Sequence, residues 1–554
     1  MPDLTFHRPD MLQRLESESF DVLIVGAGIT GVGAALDAAS RGLRTALIER
    51  DDFASGTSSK SSKLVHGGLR YLKDDPRLVY EALRERQRLR KNAPHLVSVM
   101  PFMIPIFTKA GSNGPAVVPR KIARAMGSLM WMYDLTGGWR IGKFHKRLRA
   151  PAALAHLPTM SPDRLASAYL YYDASADDAR LVLTVARTAV QHGAVVANRC
   201  SLVSLAHEPG LTHATVEADG RRFTVRAKVV VNAAGVWADD VRALDEGTHP
   251  DSIRPAKGVH ITVPWSKVRN DIAVVIPVPK DKRSLFLVPW GPLPDGTFEH
   301  TYIGTTDTDY DGPLIDPQCT HDDIRYVLRA LNASVTTEVT ADDITAVWAG
   351  LRPLVKGASS GRTADLSRHH HLHVSDHGVI SITGGKLTTY REMAEDTIDA
   401  VAKRLGVRAR CRTRRLPLLG AKGYQAQPVG SAAAHLATRY GGLAGDVQAL
   451  VDGDASLGEP LVPGLPYLRA EAVHAARHEM ALTLDDVLTR RTRARLLDRA
   501  AALAAAGSVA ALLAGELGWS AEETAAQVSH FTSQCIAEMI AATDYTTSTE
   551  AAAP

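Results

Sequence analysis

Residues 21–31 read DVLIVGAGITG, an apolar run ending in three glycines spaced G-x-G-x-x-G, and no other stretch restricts the fold of this chain so narrowly. The unbroken apolar tetrad at 22–25 fits a buried strand, and Ala34, Ala35, Ala38 and Ala39 then recur at helical period. Gly26 permits the tight turn, Gly28 lets backbone approach a pyrophosphate, and Gly31 lets the helix lie close on the sheet. At its N-terminus such a helix offers free N–H groups and a partial positive charge to phosphate. A second strand at 45–48 ends in Glu49, roughly where the dinucleotide fold places an acid on the ribose hydroxyls. That acid disfavours a 2′-phosphate, so FAD or NAD is expected over NADP.

The residues after Glu49 choose between the two. Residues 55–63 are dense in Gly, Ser and Thr and lead into LVHGGLRY at 64–71. Small hydroxyl residues suit a loop running along a long cofactor, and Gly67-Gly68 suits backbone lying against a flat ring. This stretch, SSKLVHGGLRYL at 61–72, resembles the FAD-dependent glycerol-3-phosphate dehydrogenases of bacteria, the respiratory aerobic type. Four other segments extend it, one of them shared with a broader class of flavoproteins. Gly350-Leu351-Arg352-Pro353-Leu354 is similar to the family's GxRPL motif. GGKLTTYR at 384–391 follows a strand at 379–383 and opens a helix whose N-terminus can face the flavin. Asn232-Ala233-Ala234-Gly235, after a strand at 229–232, looks like the small-residue turn that touches the adenine side of FAD in flavoproteins of the two-dinucleotide-binding type. The block ARHEMALTLDDVLTRRTR at 476–493 is similar to the helical C-terminal domain of the family, so the resemblance runs from Asp21 to about Arg499.

The resemblance implies an α/β chain, α+β overall: a Rossmann-like FAD-binding domain, a β-rich substrate domain and a helical C-terminal domain. The expected segments are 18–90, 166–240 and 346–408 for the FAD-binding domain, 91–165 for an insertion, 241–345 for the substrate domain and 409–554 for the helical domain. Non-covalent FAD is expected on Gly26, Gly28, Thr30, Gly31, Glu49 and Arg50. Thr57, Ser58, Ser61, Ser62, Lys63, Leu64, His66, Gly67 and Gly68 would continue its path, with Ala234, Gly235, Gly385, Lys386, Leu387 and Thr388. The implied reaction takes a hydride from C2 of sn-glycerol 3-phosphate to the flavin, giving dihydroxyacetone phosphate, with electrons passing to a membrane quinone. Arg70, Arg368 and Lys386 are expected on the phosphate, Tyr71 and Thr389 beside it, and Arg352 on the C2 oxygen. For the base, His260 is preferred over His66, because imidazole titrates near working pH whereas arginine does not deprotonate. The alternatives are a glycerol-3-phosphate oxidase using oxygen, or a related FAD-dependent enzyme acting on another small anion.

Composition narrows the setting. A chain of 554 residues with 45% apolar content can bury cores for two or three domains. Four dispersed cysteines with no C-x-x-C pair argue against a disulfide framework or zinc cluster and for a reducing cytoplasm. Net charge is +4, too slight to suggest nucleic acid. The first twenty residues are charged, lack an apolar signal core and read as a short arm. The apolar run 500–515 is mostly alanine and shorter than the roughly 20 residues a bilayer needs, so a buried helix is expected.

Residues 119–149 place Ile122, Met126, Leu129, Met130 and Tyr133 on one helical face beside Arg120, Lys121 and Arg124, with a second basic cluster at 143–149. That composition suits either an interfacial helix on an anionic lipid surface or a buried helix with a basic outer side. Peripheral association with the inner face of the cell membrane is therefore expected, and a homodimer is a further expectation. The helix at 78–91 reads as a solvated charged face, and the proline-broken run 100–107 as an edge strand or loop. No metal is expected: the histidines at 369–373 lack a carboxylate or cysteine cluster in sequence, and the i, i+4 pair His474 and His478 lacks a third ligand.

Overall fold

The computed structural model describes residues 6–107, 120–281, 283–356 and 369–549. Two sheets and a helical block account for them. The first sheet has eight strands: six on the path His370–Val374, Ile380–Gly384, Arg221–Asn232, Ser19–Val25, Thr45–Ile48 and Val195–Ala197, with Leu211–Ala218 paired to Arg221–Asn232 and Ser201–Glu208 to Leu211–Ala218. Its centre is parallel, with Val22 paired to Val229 on one side and to Thr45 on the other. Strands buried on both faces need apolar residues throughout, which is why this region reads as unbroken Val, Leu and Ile. The helix Ile29–Ser40 lies on it through alanine and glycine, packed against the helices Asp178–Gln191 and Tyr390–Leu405.

The second sheet has ten strands, running Thr308–Asp309, Ile253–Pro264, Phe298–Gly304, Ser284–Pro292, Ala273–Pro277, Val97–Phe107, Leu165–Ala176 and Leu64–Val65. Ala346–Val355 pairs with Ile253–Pro264, and Lys146–Arg149 with Leu165–Ala176. A core of its own lies between this sheet and the helix His321–Asn332. A third core holds the C-terminal helices together.

Several sequence expectations change here. The supposed N-terminal arm is a helix, Arg8–Ser17, whose Met11, Leu12 and Leu15 are buried and whose Arg8 pairs with Asp219. The strand expected at 229–232 begins earlier and runs as Arg221–Asn232. Val97–Phe107 is interior, between Ala273–Pro277 and Leu165–Ala176; its prolines flank the only two residues, Phe102 and Met103, that pair with the first of these. Ala346–Val355 and Leu165–Ala176, assigned to the FAD-binding domain from sequence, belong to the second sheet by hydrogen bonding. The helix Pro76–Asn92 is not a solvated face: Glu85 and Arg86 are buried, with Arg86 paired to Asp173. The apolar run near the C-terminus lies in Arg499–Leu517, the one helix among the described residues long and apolar enough to cross a membrane. One of its faces, with Ala502, Ala506, Val509 and Leu513, is packed in the C-terminal core.

Candidate active site

A trench opens where the central parallel strands of the first sheet end. Its floor is the turn from Gly26 to Thr30, and close packing explains why glycine stands there. At Gly26 φ is +101°, and a Cβ would lie 2.8 Å from the Ala233 carbonyl oxygen; at Gly31 one would lie 1.8 Å from the Gly26 carbonyl oxygen. Glu49 is tied to this turn, its carboxylate accepting the N–H of Ala27 at 2.7 Å and of Asp51 at 2.8 Å. Burial raises its pKa, while those two donors pull the other way.

Of the residues expected on a dinucleotide, Gly26, Gly28, Thr30, Glu49, Arg50, Thr57 and Ser58 line the trench on one side. Ala234, Gly235, Gly385, Lys386 and Leu387 line the other. Gly384 and Gly385 have φ of +76° and +79°, so backbone rather than side chain forms that wall. A trench running from a buried acid to a glycine turn, and built where Cβ atoms have no room, fits FAD. Sequence reading missed Leu202, Trp237, Asp240, Leu244 and Met393, which complete the lining. Trp237 has the Arg50 guanidinium 4.8 Å from its ring centroid, and its only sequence signal was its place two residues after Gly235.

Segment 61–71 leads from the trench to a cluster of cations. Four residues expected on the cofactor turn their side chains elsewhere, because Leu64–Val65 pairs into the second sheet. Ser61 donates to Asp178 at 2.7 Å, and Lys63 pairs with Asp178 at 3.2 Å with its ammonium 4.9 Å from the Trp348 ring centroid. Burial lowers the Lys63 pKa to about 8, with Asp178 opposing. Ser62 meets His260 Nε2 at 2.9 Å, and Leu64 is core.

Gly67 rests on a buried triad. Its N–H donates to Asp173 at 3.1 Å, and Asp173 also accepts from Tyr133 and from Arg86. No sequence signal marked this triad: its members lie in separate segments, with Arg86 on a helix that read as solvated and Tyr133 on an apolar helical face.

His66 donates its backbone N–H to Thr388 Oγ1 at 3.1 Å. Next to it, the Arg70 guanidinium and the Lys386 ammonium both stack on the Tyr71 ring, at 4.6 and 4.3 Å from its centroid. Thr389 is buried, with its hydroxyl donating to the Lys386 carbonyl at 3.3 Å. Arg368 lies outside the described residues.

His260 and Arg352 come from neighbouring strands of the second sheet. His260 stands opposite Trp348, its ring stacked on the indole at 4.7 Å, and Ala256 stands opposite Arg352. Gly304 makes room for this imidazole: a Cβ there would lie 2.1 Å from the ring. Arg352 donates to Asp307 at 3.1 Å and to Thr305 at 3.3 Å. Neither histidine titrates near neutrality as expected. Burial first, then Lys63 and Arg352, puts His260 well below its usual value; burial, then Lys386 and Arg70, sets His66 at about 3. The site therefore holds two neutral imidazoles among fixed cations. The 369–373 histidines separate, His369 onto Asp75 and His370 onto Asp396, and His474 is buried against Tyr440.

Comparison with known proteins places this geometry. Residues 21–391 match the FAD dependent oxidoreductase family, and residues 411–524 match the C-terminal domain of alpha-glycerophosphate oxidase. Glycerol-3-phosphate dehydrogenase 2 of Mycobacterium tuberculosis is 40% identical over 546 residues, covering 95% of this chain and 90% of that protein. The mitochondrial glycerol-3-phosphate dehydrogenase of Homo sapiens is 37% identical, covering 92% of this chain and 72% of that protein. The crystal structure of glycerol-3-phosphate dehydrogenase from Bacillus halodurans, complexed with FAD, superposes with a TM-score of 0.75 at 30% identity, covering 97% of this chain and 98% of that one.

Proposed function

The chain belongs to the FAD-dependent oxidoreductases, and its identity to relatives along nearly its whole length sets it among their glycerol-3-phosphate dehydrogenases; on that premise we propose that it oxidises sn-glycerol 3-phosphate to dihydroxyacetone phosphate and hands the electrons to a membrane quinone. The observation that carries the substrate assignment is the placing of the Arg70 guanidinium and the Lys386 ammonium over the Tyr71 ring, next to the trench wall that Lys386 lines. Two cations gathered on one aromatic ring supply the charge that a phosphate dianion needs. FAD, when bound, supplies the hydride acceptor. Arg352 holds the C2 oxygen as negative charge develops on it, and His260 takes the hydroxyl proton. The neutral state that base requires is maintained by burial and by Lys63 and Arg352. Ser62, on Nε2, orients the ring.

Anaerobic addition of glycerol 3-phosphate to the oxidised, FAD-loaded protein tests this directly. Visible flavin absorbance should bleach, and glycerol, which lacks the phosphate, should leave it unchanged. A spectrum indifferent to glycerol 3-phosphate overturns the substrate assignment. Stoichiometric peroxide in air, in place of quinone-analogue reduction, converts the reading to an oxidase.

The helix Arg120–Thr136 supports peripheral docking on anionic lipid at the inner face of the cell membrane. Its residues Met130 and Tyr133 are buried and Met126 and Leu129 partly so, so the apolar face expected from sequence packs inward. Trp131 and Leu135 instead stand 55% and 72% exposed, the Trp131 ring 6.3 Å from that of the exposed Phe144, which follows Lys143 in sequence; Trp139, next to Arg140, is exposed as well. Exposed aromatics flanked by cations suit the headgroup boundary.

A further inference from the structure

Away from the trench's inner end, three elements bring together a histidine, an aspartate and a second histidine that are far apart in sequence. Asp245 is on the helix Ala238–Glu246, His207 on the strand Ser201–Glu208, and His377 in the turn before the strand Ile380–Gly384. We propose that His207, Asp245 and His377 bind a divalent transition-metal ion, zinc being the best match to two imidazoles and one carboxylate.

The donor atoms of the three residues lie within 4.8 Å of one another. Asp245 Oδ1 is 2.8 Å from His207 Nε2 and 3.2 Å from His377 Nδ1. Despite that short contact, His207 Nε2 has no hydrogen bond, and neither does Asp245 Oδ2; both atoms are buried. The Asp245 side chain is 1% exposed, and an unsatisfied carboxylate oxygen at that depth is costly unless a cation meets it. On the far side of its ring, His207 Nδ1 contacts Thr212 Oγ1 at 3.1 Å, the kind of outer contact that fixes the tautomer of a metal-bound histidine.

The two imidazoles are stacked, with centroids 4.6 Å apart and planes 17° from parallel. Convergence of both lone pairs on one ion needs the His377 ring to turn. That ring is half exposed and has room to do so. Three protein donors leave a fourth position for water on the solvent side.

The helix bearing Asp245 also presents Asp240, Val241 and Leu244 to the trench. A bound ion would pin that helix to the neighbouring strand and turn, stiffening one wall of the cofactor site without touching the reacting groups. The site is separate from the histidines at 369 and 370, which pair with their own carboxylates.

The FAD-loaded protein, stripped with chelator and dialysed against zinc near neutral pH, tests the assignment by metal content and melting temperature. Wild type and a His370→Ala/His371→Ala control should each retain one zinc per chain and melt higher with zinc than without. His377→Ala should retain none above background and lose the zinc-dependent shift, with unchanged FAD content and circular dichroism showing that it still folds. His207→Ala should behave likewise. Wild type retaining no more zinc than His377→Ala, or both variants retaining it fully, overturns the site.

Discussion

A valine at position 28 would drive its branches toward Ser58, whose hydroxyl lies 3.2 Å from where even a lone Cβ would sit and accepts the Ile29 N–H. Gly28→Val is expected to fold but to carry little FAD, read as visible flavin absorbance per protein; full loading would remove the pyrophosphate from this turn. At the other end of the site, His260→Ala should slow flavin reduction by roughly 100-fold. Because His260 is held well below its usual pKa, the wild-type rate should stay flat from about pH 8 to 6, where an unperturbed imidazole would protonate. A stopped-flow rate falling through that window would point to another base. The same burial has a stability sign. His66 titrates at about 3 in the folded chain against an ordinary 6.5, so below 6.5 the unfolded chain takes up a proton that the folded chain refuses. Its contribution is complete above pH 6.5 and is lost on acidification at about 1.4 kcal/mol per unit. Urea midpoints between about pH 6.5 and 5 should fall less steeply for His66→Gln than for wild type; equal slopes would refute the assignment.

Among the elements, the helix Arg120–Thr136 does two jobs on two faces. Its inner Tyr133 reaches Asp173, which holds Gly67, while its outer Trp131 and Leu135 meet solvent. Trp131→Ser with Leu135→Ser is expected to lower co-sedimentation with anionic vesicles several-fold while leaving dye-linked activity intact; unchanged sedimentation would move the docking surface elsewhere. The two faces also show why some of the fold was legible in the sequence and some was not. G-x-G-x-x-G and GGKLTTYR were readable because they answer to backbone demands that only glycine meets, and those demands are local. The helix Arg120–Thr136 was recognisable by period, but which of its apolar residues face inward depends on Tyr169 and Tyr171, strand residues it meets only after folding. Ser61 and Lys63 were placed on the cofactor because they sit in its motif, yet Asp178, more than a hundred positions away, claims both.

At the scale of the whole molecule, the C-terminal helices are joined to the FAD-binding sheet by buried ion pairs. Asp52, just past Glu49, accepts Arg490 at 2.7 Å and Arg491 at 2.7 and 2.8 Å. Arg493 spans Asp177 and Asp178, and through Asp178 it reaches Ser61 and Lys63. Burial works against ionising Asp52, but Arg491 and Arg490 hold it well below the usual carboxylate range. Asp52→Ala would leave the buried Arg491 with only the Glu479 carbonyl as partner, while Arg490 keeps Asp485 and Asp486, and should cost about 3–5 kcal/mol in denaturant unfolding; a loss under about 1 kcal/mol would show that Arg491 finds another partner. The order of strands has a consequence in time. Ser19–Val25 lies between Thr45–Ile48 and Arg221–Asn232, and the late turn Gly384–Leu387 contributes to the trench lining. At ordinary rates of translation the nascent chain waits roughly ten to forty seconds between its first strand and the neighbour that covers that strand's open edge. Throughout that interval a hydrophobic edge stands unprotected at the ribosome. An unpaired apolar edge of that kind is where non-native strand pairing begins, so the order of synthesis exposes the cofactor domain before its sheet can close.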